Sequence, residues 1–558
     1  MQSRSLLLAA LFLALLWTDV ARTDGTFRPA AAPDPYAEDA AACRAMQDRR
    51  FGEGVIFAST LARPPYAVRW MNSVSTATAR TAFCRLEGYA NPVARSHIGF
   101  EVWLPVRSAW NGRFLAVGAG GSMGDVNRLD LADGVNRGFA AVATDNGHRS
   151  PAPRERNDWA LGEPERIVDF GHRANHVTTV AGKAAAEAFY GRRPSFSYFF
   201  GCSQGGMKGL MAAQRYPDDY DGIVAGAPVK SWIDAMTQQA WSVRALTETP
   251  SSALSVPQMQ ALQDAARRRC AGPNGLIADP RRCAFDPAEL LCPAKDGGVC
   301  LSAEQVTAVR KLYAGPSTST GRRIFPGFSP GGERAWEQFY GEVSPDGTRG
   351  GGSWLGVYRY MVFDDPTWTL PQLDFDRDPE IAKRKLGDAF DAENPDLRRF
   401  ADRGGKLIVF HGWADQQLPA LSSVEYWEAV VSRGSREAGD RHFRLFMVPG
   451  MTHCTPELVA PGAPTPRGPN LNLLREYDPS VPFSAENDAL TALQRWVEQG
   501  IPPTHFDVRV SDGPAGVTPR AVRACKAPEV AAYRGSGDPL RTENWSCEDA
   551  DGIRPTSR

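Results

Sequence analysis

Two short motifs, far apart in the chain, carry residue types that can do nucleophilic chemistry. Ser203 lies in the motif Gly-Cys-Ser-Gln-Gly-Gly at 201–206, and His453 lies in Met-Thr-His-Cys at 451–454. A serine hydroxyl is a poor nucleophile until an imidazole takes its proton and an acid orients that imidazole. Because Cys202 precedes the serine and Cys454 follows the histidine, a bond between the two cysteines would bring Ser203 and His453 together.

The sequence around Ser203 predicts a sharp turn between a strand and a helix. A short aromatic run at 197–200 is typical of a buried strand, and apolar residues recur at helical spacing over 207–216. Small residues on both sides of the serine allow the chain to turn and expose the hydroxyl. Gly-x-Ser-x-Gly in this setting indicates the nucleophile elbow of an α/β-hydrolase.

Chain order and strand context then select an acid and a base. In this fold the serine is followed first by an aspartate or glutamate and then by the histidine. Asp415 comes after a predicted strand at 406–410, and His453 comes after another at 443–448. We therefore predict a triad of Ser203, Asp415 and His453, and we interpret His411 as a structural residue beside the acid loop.

An acyl-transfer site also needs backbone N–H groups that bind the oxyanion. The residue after the nucleophile, Gln204, supplies one of them in this fold, and a loop after an earlier strand supplies the other. The segment Gly-Ala-Gly-Gly at 118–121 follows a predicted strand at 114–117. We predict Gly120 or Gly121 as the second donor.

The order of apolar and glycine-rich segments predicts an α/β fold. Short strands at 114–117, 140–144, 198–200 and 223–225 alternate with helical or loop segments, which indicates a mostly parallel sheet flanked by helices. The strand pattern stops after residue 228 and returns at 406. We predict a catalytic domain of residues 23–228 and 405–558, with a large lid domain of residues 229–404 inserted into it.

Composition favours a small-molecule partner. The chain of 558 residues has 63 Lys and Arg against 64 Asp and Glu, a formal net charge of −1. This balance, without a basic tract, argues against binding to nucleic acid or to an anionic membrane surface. An apolar run at 6–17 predicts a signal peptide over residues 1–22 and secretion into a periplasm or medium, with an uncleaved anchor as the alternative. The sequence does not indicate an oligomeric state.

Ten cysteines behind a signal peptide indicate a disulfide framework. Buried thiols or metal ligation are the alternatives, although no paired zinc-type spacing is present in the sequence. Spacing suggests four local pairs: Cys43 with Cys84, Cys270 with Cys283, Cys292 with Cys300, and Cys525 with Cys547. The two cysteines that remain are Cys202 and Cys454.

Taken together, these motifs resemble the tannase and feruloyl esterase family. The resemblance rests on Gly-Cys-Ser-x-Gly-Gly around Ser203, on His-Gly-Trp-Ala-Asp ending at Asp415, and on Pro-Gly-Met-x-His-Cys ending at Cys454. It implies a secreted α/β-hydrolase with a lid and a disulfide between Cys202 and Cys454. It also implies hydrolysis of aromatic acid esters, such as galloyl or feruloyl esters, or of mono(2-hydroxyethyl) terephthalate.

The resemblance also implies a calcium loop in the lid, where this chain departs from the family pattern. Calcium needs several hard oxygen ligands. The matching stretch at 270–279 has two of the family's carboxylates replaced and the third displaced. We therefore predict no required cofactor and no metal site.

Aromatic side chains in the lid are candidates to contact the substrate. We predict a binding role for Trp354, Tyr358 and Phe363, and for Leu418 beside the acid loop. The alternative is that these aromatic residues fill the core of the lid itself. We interpret Arg359, which lies among them, as a surface charge.

The prediction for function is a secreted carboxylic ester hydrolase that cleaves esters of aromatic acids through an acyl-enzyme. The alternatives are a hydrolase of mono(2-hydroxyethyl) terephthalate type and a non-catalytic binding protein with the same fold.

Overall fold

The computed structural model describes residues 34–69, 76–149, 157–293, 298–350, 352–455, 482–510 and 520–549. The predicted signal peptide at 1–22 lies outside these residues. The unit that carries the predicted site spans Glu38–Arg558.

The β-strands of the described residues are numbered in chain order. They are β1 Arg50–Phe51, β2 Gly54–Ala62, β3 Tyr66–Arg69, β4 Thr76–Ala79, β5 Phe83–Ala90, β6 Ile98–Pro105, β7 Arg113–Val117, β8 Ala140–Thr144, β9 Phe196–Cys202, β10 Gly222–Gly226, β11 Lys406–Gly412, β12 Phe443–Val448, β13 His505–Val510, β14 Arg520–Cys525, β15 Glu529–Tyr533 and β16 Trp545–Asp549.

The α-helices are numbered in the same way. They are α1 Ala37–Arg44, α2 Arg128–Asn136, α3 Pro164–Val168, α4 Ala174–Tyr190, α5 Gln204–Arg215, α6 Trp232–Thr247, α7 Val256–Cys270, α8 Ala303–Ala314, α9 Glu337–Tyr340, α10 Trp354–Gly356, α11 Asp378–Phe390, α12 Arg398–Asp402, α13 Leu421–Val431, α14 Arg436–Asp440 and α15 Ala489–Gln499. Short π-helical segments cover Asp169–Arg173 and Val357–Val362.

One large sheet positions the predicted site. Its strands run in the order β1-β2-β5-β6-β8-β7-β9-β10-β11-β12. The strands from β8 to β12 pair in parallel, whereas β1, β2, β5 and β6 pair antiparallel at the other side of the sheet. The mostly parallel sheet flanked by helices confirms the predicted α/β-hydrolase fold class.

Side chains of the parallel strands alternate between two hydrophobic clusters. On β9, Phe199 belongs to one cluster while Tyr198 and Phe200 belong to the other, and on β11 Val409 and Phe410 divide in the same way. Successive side chains of a strand point to opposite faces of the sheet. Both faces are therefore covered, which explains why these strands are continuous apolar runs in the sequence.

The chain leaves the sheet after β10 and returns at β11, and these two strands are direct neighbours. The described part of 229–404 contributes no strand to the large sheet and consists mainly of α6 to α12 with connecting loops. This is the segment predicted as a lid. Its boundaries as a separate domain stay a prediction.

Local sequence explains where the lid helices begin. The side chain of Ser231 accepts the backbone N–H of Asp234 at 3.3 Å at the start of α6. At the start of α8, Ser302 accepts the N–H of Gln305 at 3.1 Å, and the Gln305 side chain accepts the N–H of Ser302 at 2.9 Å. Such caps satisfy N–H groups that the first turn of a helix leaves unpaired.

Within the described residues, no helix combines the length and apolar character that crossing a membrane requires.

Candidate active site

Ser203 occupies the turn between β9 and α5. Its φ of 63° and ψ of −122° lie in a region that residues with a side chain rarely adopt. The turn also depends on its glycines: a Cβ on Gly201 would lie 2.5 Å from the Gly205 carbonyl carbon, and one on Gly206 would lie 2.6 Å from the Gly226 oxygen. The motif therefore folds as the elbow that its sequence predicts.

Asp415 and His453 form a buried pair. Nδ1 of His453 lies 2.7 Å from Oδ2 of Asp415, and both side chains are at most 5% exposed. An imidazole that donates from Nδ1 to a carboxylate leaves Nε2 to accept a proton from a nucleophile. This is the orientation that a catalytic base needs.

The acid is fixed by its own loop and by His411. Oδ1 of Asp415 accepts the backbone N–H groups of Gln417 and Leu418, each at 2.8 Å. Nε2 of His411 lies 3.1 Å from Oδ2 of Asp415, and its Nδ1 lies 2.8 Å from the Ser423 hydroxyl. Burial raises the pKa of Asp415, but His453 and His411 lower it by more, so the carboxyl has a pKa well below its ordinary value.

A disulfide joins the elbow to the histidine loop. Cys202 and Cys454 are bonded, with 6.1 Å between their Cα atoms. Nε2 of His453 lies 3.8 Å from Sγ of Cys454, so the ring nitrogen that would accept the proton faces the bond to the residue preceding Ser203. The four predicted local pairs are also confirmed: Cys43 with Cys84, Cys270 with Cys283, Cys292 with Cys300, and Cys525 with Cys547.

The glycine loop after β7 lies beside Ser203. The backbone N–H of Gly118 donates to the Phe200 carbonyl at 2.9 Å, which continues the pairing of β7 with β9. A Cβ placed on Gly120 would lie 3.9 Å from the Cβ of Ser203. Gly120 and Gln204 thus both lie next to the predicted nucleophile, with Gly121 following at a φ of 59°. Which glycine donates to an oxyanion stays a prediction.

Comparison with known proteins decides the family. The family model described as tannase and feruloyl esterase matches residues 84–548. The chain belongs to this family. It is therefore an esterase of the feruloyl esterase and tannase type.

Individual relatives agree over most of the length of the chain. A probable feruloyl esterase B of Emericella nidulans is 31% identical over 83% of this chain and 86% of its own. A mono(2-hydroxyethyl) terephthalate hydrolase of Piscinibacter sakaiensis is 30% identical over 91% of each chain. The solved structure of feruloyl esterase B from Aspergillus oryzae superimposes with a TM-score of 0.78 at 28% identity, and covers 91% of this chain and all of that one.

In this esterase the aromatic side chains predicted to contact the substrate pack around Trp368 within residues 229–404. Trp354 and Tyr358 are at most 1% exposed. The Tyr358 ring stacks on Trp368 at 5.2 Å, and Phe363 stacks on the same ring at 5.4 Å. Leu418 is buried on the acid loop. Their packing favours the structural alternative, and their role in substrate binding stays a prediction.

A cavity of about 700 Å³ is lined mainly by residues of the segment predicted as a lid. Arg359 lines it, so this residue is half-buried at a cavity and the interpretation as a surface charge is wrong. Its guanidinium donates to the Trp368 carbonyl at 2.5 Å. The other lining residues are Asp158, Gln338, Phe339, Gly347, Thr348, Gly350, Gly352, Leu355, Gly356 and Tyr360.

Gln416 connects this cavity to the predicted base and was not identified from the sequence. Its side-chain oxygen accepts the backbone N–H of His453 at 3.0 Å, and its amide donates to the side chain of Gln338 at 2.5 Å. Gln338 lines the cavity. The position directly after Asp415 was the available signal, but nothing in the sequence shows that the side chain turns toward the histidine.

The lid loop at 270–279 does not fit calcium. Both carboxylate oxygens of Asp279 accept from the guanidinium of Arg281 at 2.8 Å, and the carbonyl oxygen of Asn274 accepts from Arg520 at 2.8 Å. The guanidinium groups that already occupy these oxygen atoms would repel a further cation. Across the part of the chain that the structure describes, no cluster of three or more His, Cys, Asp or Glu could hold a metal ion.

Proposed function

We propose that the protein is a two-step serine carboxylic ester hydrolase. His453 Nε2 takes the proton of Ser203 as the hydroxyl oxygen attacks the ester carbonyl, and Asp415 stabilises the imidazolium that forms. The N–H groups of Gln204 and of Gly120 or Gly121 bind the oxyanion. The alcohol leaves with a proton from His453, and a water molecule then repeats the sequence on the acyl-enzyme and releases the acid.

A single arrangement carries this proposal. The elbow at Ser203 is bonded through Cys202 and Cys454 to the loop of a histidine whose Nδ1 is 2.7 Å from a buried carboxylate. The steps use only side chains, backbone amides and water, so the proposal includes no cofactor.

Replacement of Ser203 by alanine tests the mechanism. The variant should lose at least about 10⁴-fold in kcat on a phenolic acid methyl ester while it keeps its fold. A fluorophosphonate probe should label the native protein and not the variant. Equal activity of the two proteins would reject the mechanism, and a native protein that neither reacts with the probe nor turns over esters would favour the non-catalytic binding protein.

The proposed substrates are esters of aromatic acids, of the feruloyl or galloyl kind. The names of the relatives support this class, and Phe339, Leu355 and Tyr360 supply aromatic and apolar surface to the lid cavity. Methyl ferulate and methyl gallate are the matching test substrates. Turnover of simple alkyl esters at the same kcat/KM would argue against an aromatic acyl site.

A second candidate activity, hydrolysis of mono(2-hydroxyethyl) terephthalate, is favoured by Arg359. An arginine at a cavity can pair with the free carboxylate of that substrate. Arg359→Gln should then lower kcat/KM for this ester about tenfold and leave methyl ferulate within about threefold. Exposed Arg349 offers the matched control, Arg349→Gln, which should change neither. An equal loss on both esters would remove the argument for the carboxylate.

We also propose that the protein is secreted. Five disulfides fit an oxidising compartment. Fractionation of an expressing bacterium, with N-terminal sequencing of the mature chain, tests both secretion and the predicted cleavage near residue 22.

A further inference from the structure

Lys208 is a buried cation close to the predicted nucleophile and takes no part in the proposed reaction. It lies on α5, one turn beyond Gln204, and is 1% exposed. Its ammonium group donates to the side-chain oxygen of Asn146 and lies 5.6 Å from the centre of the Phe170 ring. A buried lysine is costly for a fold, so its position calls for a function.

The partner of Lys208 reaches the glycine loop. The amide nitrogen of Asn146 donates to the Met123 carbonyl at 2.7 Å. Asn146 itself has a φ of 65° in the turn after β8, a conformation that asparagine tolerates better than most residues. The methyl carbon of Met123 would lie 3.9 Å from a Cβ on Gly120. The chain of contacts therefore runs from α5 to the loop that carries the predicted second oxyanion donor.

A second contact holds the same loop from the same turn. Nε2 of His148 lies 3.1 Å from the carbonyl oxygen of Ser122. Burial lowers the pKa of His148 to about 4, so the ring is neutral and donates from Nε2. The turn at 144–148 thus anchors the successive carbonyl groups of Ser122 and Met123, which directly follow the glycines of the loop.

The contact to Asn146 does not depend on the charge of Lys208. Burial lowers the pKa of Lys208 to about 7, against the opposing effect of Asp145. Both an ammonium and an amine carry N–H groups, so either form can donate to the oxygen of Asn146.

We propose that Lys208 is a positioning residue for the oxyanion site. Through Asn146 it holds the loop at 118–124 against α5, and so it fixes the spacing between the N–H of Gln204 and that of Gly120 or Gly121. This inference rests on the serine esterase function proposed above. A donor displaced from the oxyanion weakens binding of the transition state and leaves binding of the substrate nearly unchanged.

Lys208→Met tests the proposal, because methionine keeps an unbranched stem as far as Cε and removes the terminal amine with its N–H groups. On methyl ferulate we expect kcat to fall about 10- to 100-fold while KM stays within about threefold. The inhibition constant of an arylboronic acid, which forms a tetrahedral adduct with the serine, should rise in parallel, and that of ferulic acid should not.

A matched control comes from Lys183, a half-buried lysine on α4 that donates to the Asp219 carbonyl. Lys183→Met removes a comparable contact on another helix and should leave kcat within about twofold. If Lys183→Met lowers kcat as much as Lys208→Met, the effect is general destabilisation and the proposal is overturned.

Asn146→Asp provides a second variant in case Lys208→Met does not fold. Aspartate keeps an oxygen for Lys208 and loses the amide that donates to Met123, so we expect a similar loss of kcat. The kcat of the double variant should be no more than about threefold below that of the less active single variant, since both substitutions act through one chain of contacts. Losses that multiply, or a folded Lys208→Met with native kcat, would overturn the proposal. If only the positioning role is wrong, Ser203→Ala is still inactive. If the proposed esterase function is wrong, Ser203→Ala keeps the native activity.

Discussion

The side-chain oxygen of Gln416 accepts the backbone N–H of His453 at 3.0 Å. Gln416 also donates to Gln338, which lines the cavity beside Arg359, so one side chain links the loop of the predicted base to that cavity. Closure of a lid over a substrate commonly completes an active site. The backbone of His453 is therefore linked, through Gln416, to Gln338 in the segment predicted as a lid.

Gln416→Ala should misplace His453 without removing any predicted catalytic group. We expect kcat on methyl ferulate to fall about tenfold, because a displaced base loses much of the benefit of orientation. Gln416→Glu keeps the acceptor for His453 and should recover most of the activity. Gln417→Ala serves as the control, since residue 417 contributes its backbone N–H to Asp415. Native kcat in Gln416→Ala would show that the acid loop alone positions the histidine.

The disulfide between Cys202 and Cys454 should matter more for activity than the other four. It closes a sequence separation of 252 residues between the elbow and the histidine loop. We expect Cys202→Ala with Cys454→Ala to lower kcat more than tenfold and to lower the melting temperature by several degrees. The matched control is Cys292→Ala with Cys300→Ala, which opens a separation of 8 residues in the lid. Equal effects of the two double variants on kcat would contradict this role.

Much of the site follows from the sequence because each residue of the predicted triad lies in the turn or loop that follows a parallel strand. The carboxyl ends of such strands share one edge of a sheet, so strand order alone brings Ser203, Asp415 and His453 to that edge. The strands themselves are buried on both faces and are visible as apolar runs. The observed β9 extends two residues beyond each end of the predicted 198–200, and β11 extends two residues beyond the predicted 406–410, since these residues continue the pairing with the neighbouring strands.

The remaining features depend on contacts between distant segments. Strands β5 and β6 are joined by an ion pair between Arg85 and Glu101 at 2.8 Å, and Arg128 of α2 contacts the same carboxylate. The sequence shows a glutamate within an apolar strand, but it does not show which arginines pair with that glutamate. The contacts of Lys208 and Gln416 are hidden for the same reason, because their partners lie on segments that are distant in the sequence.

The lid loop at 270–279 should be stabilised by Arg520 and not by calcium. Arg520 donates to the Asn274 carbonyl, and a Cβ on neighbouring Gly275 would overlap the guanidinium. We expect Arg520→Gln to lower the melting temperature by about 2 °C, and we expect a chelator to leave that of the native protein unchanged. Exposed Arg534 provides the control, Arg534→Gln, with no change. A marked loss of stability in chelator would show that the loop binds calcium after all.

Asp391 should make the stability of the protein depend on pH near neutrality. It lies where the lid returns toward β11, and burial together with Glu393 and Asp234 raises its pKa from 3.8 to about 7 against the effect of Lys383. Below about pH 4 the group is protonated in both the folded and the unfolded chain, and its contribution to stability is fully present. As pH rises toward 7 the unfolded chain ionises first, so that contribution is lost.

Asp391→Asn should therefore raise the melting temperature by about 1–3 °C at pH 8 and leave it unchanged near pH 4. Asparagine keeps an oxygen that can accept from the Ser231 hydroxyl, which lies 3.1 Å from the native carboxylate. Exposed Asp402 supplies the control: Asp402→Asn should give no difference that grows with pH. A variant at residue 391 that loses stability at pH 8 would mean that the carboxylate is ionised in the folded protein and is stabilised there by Lys383.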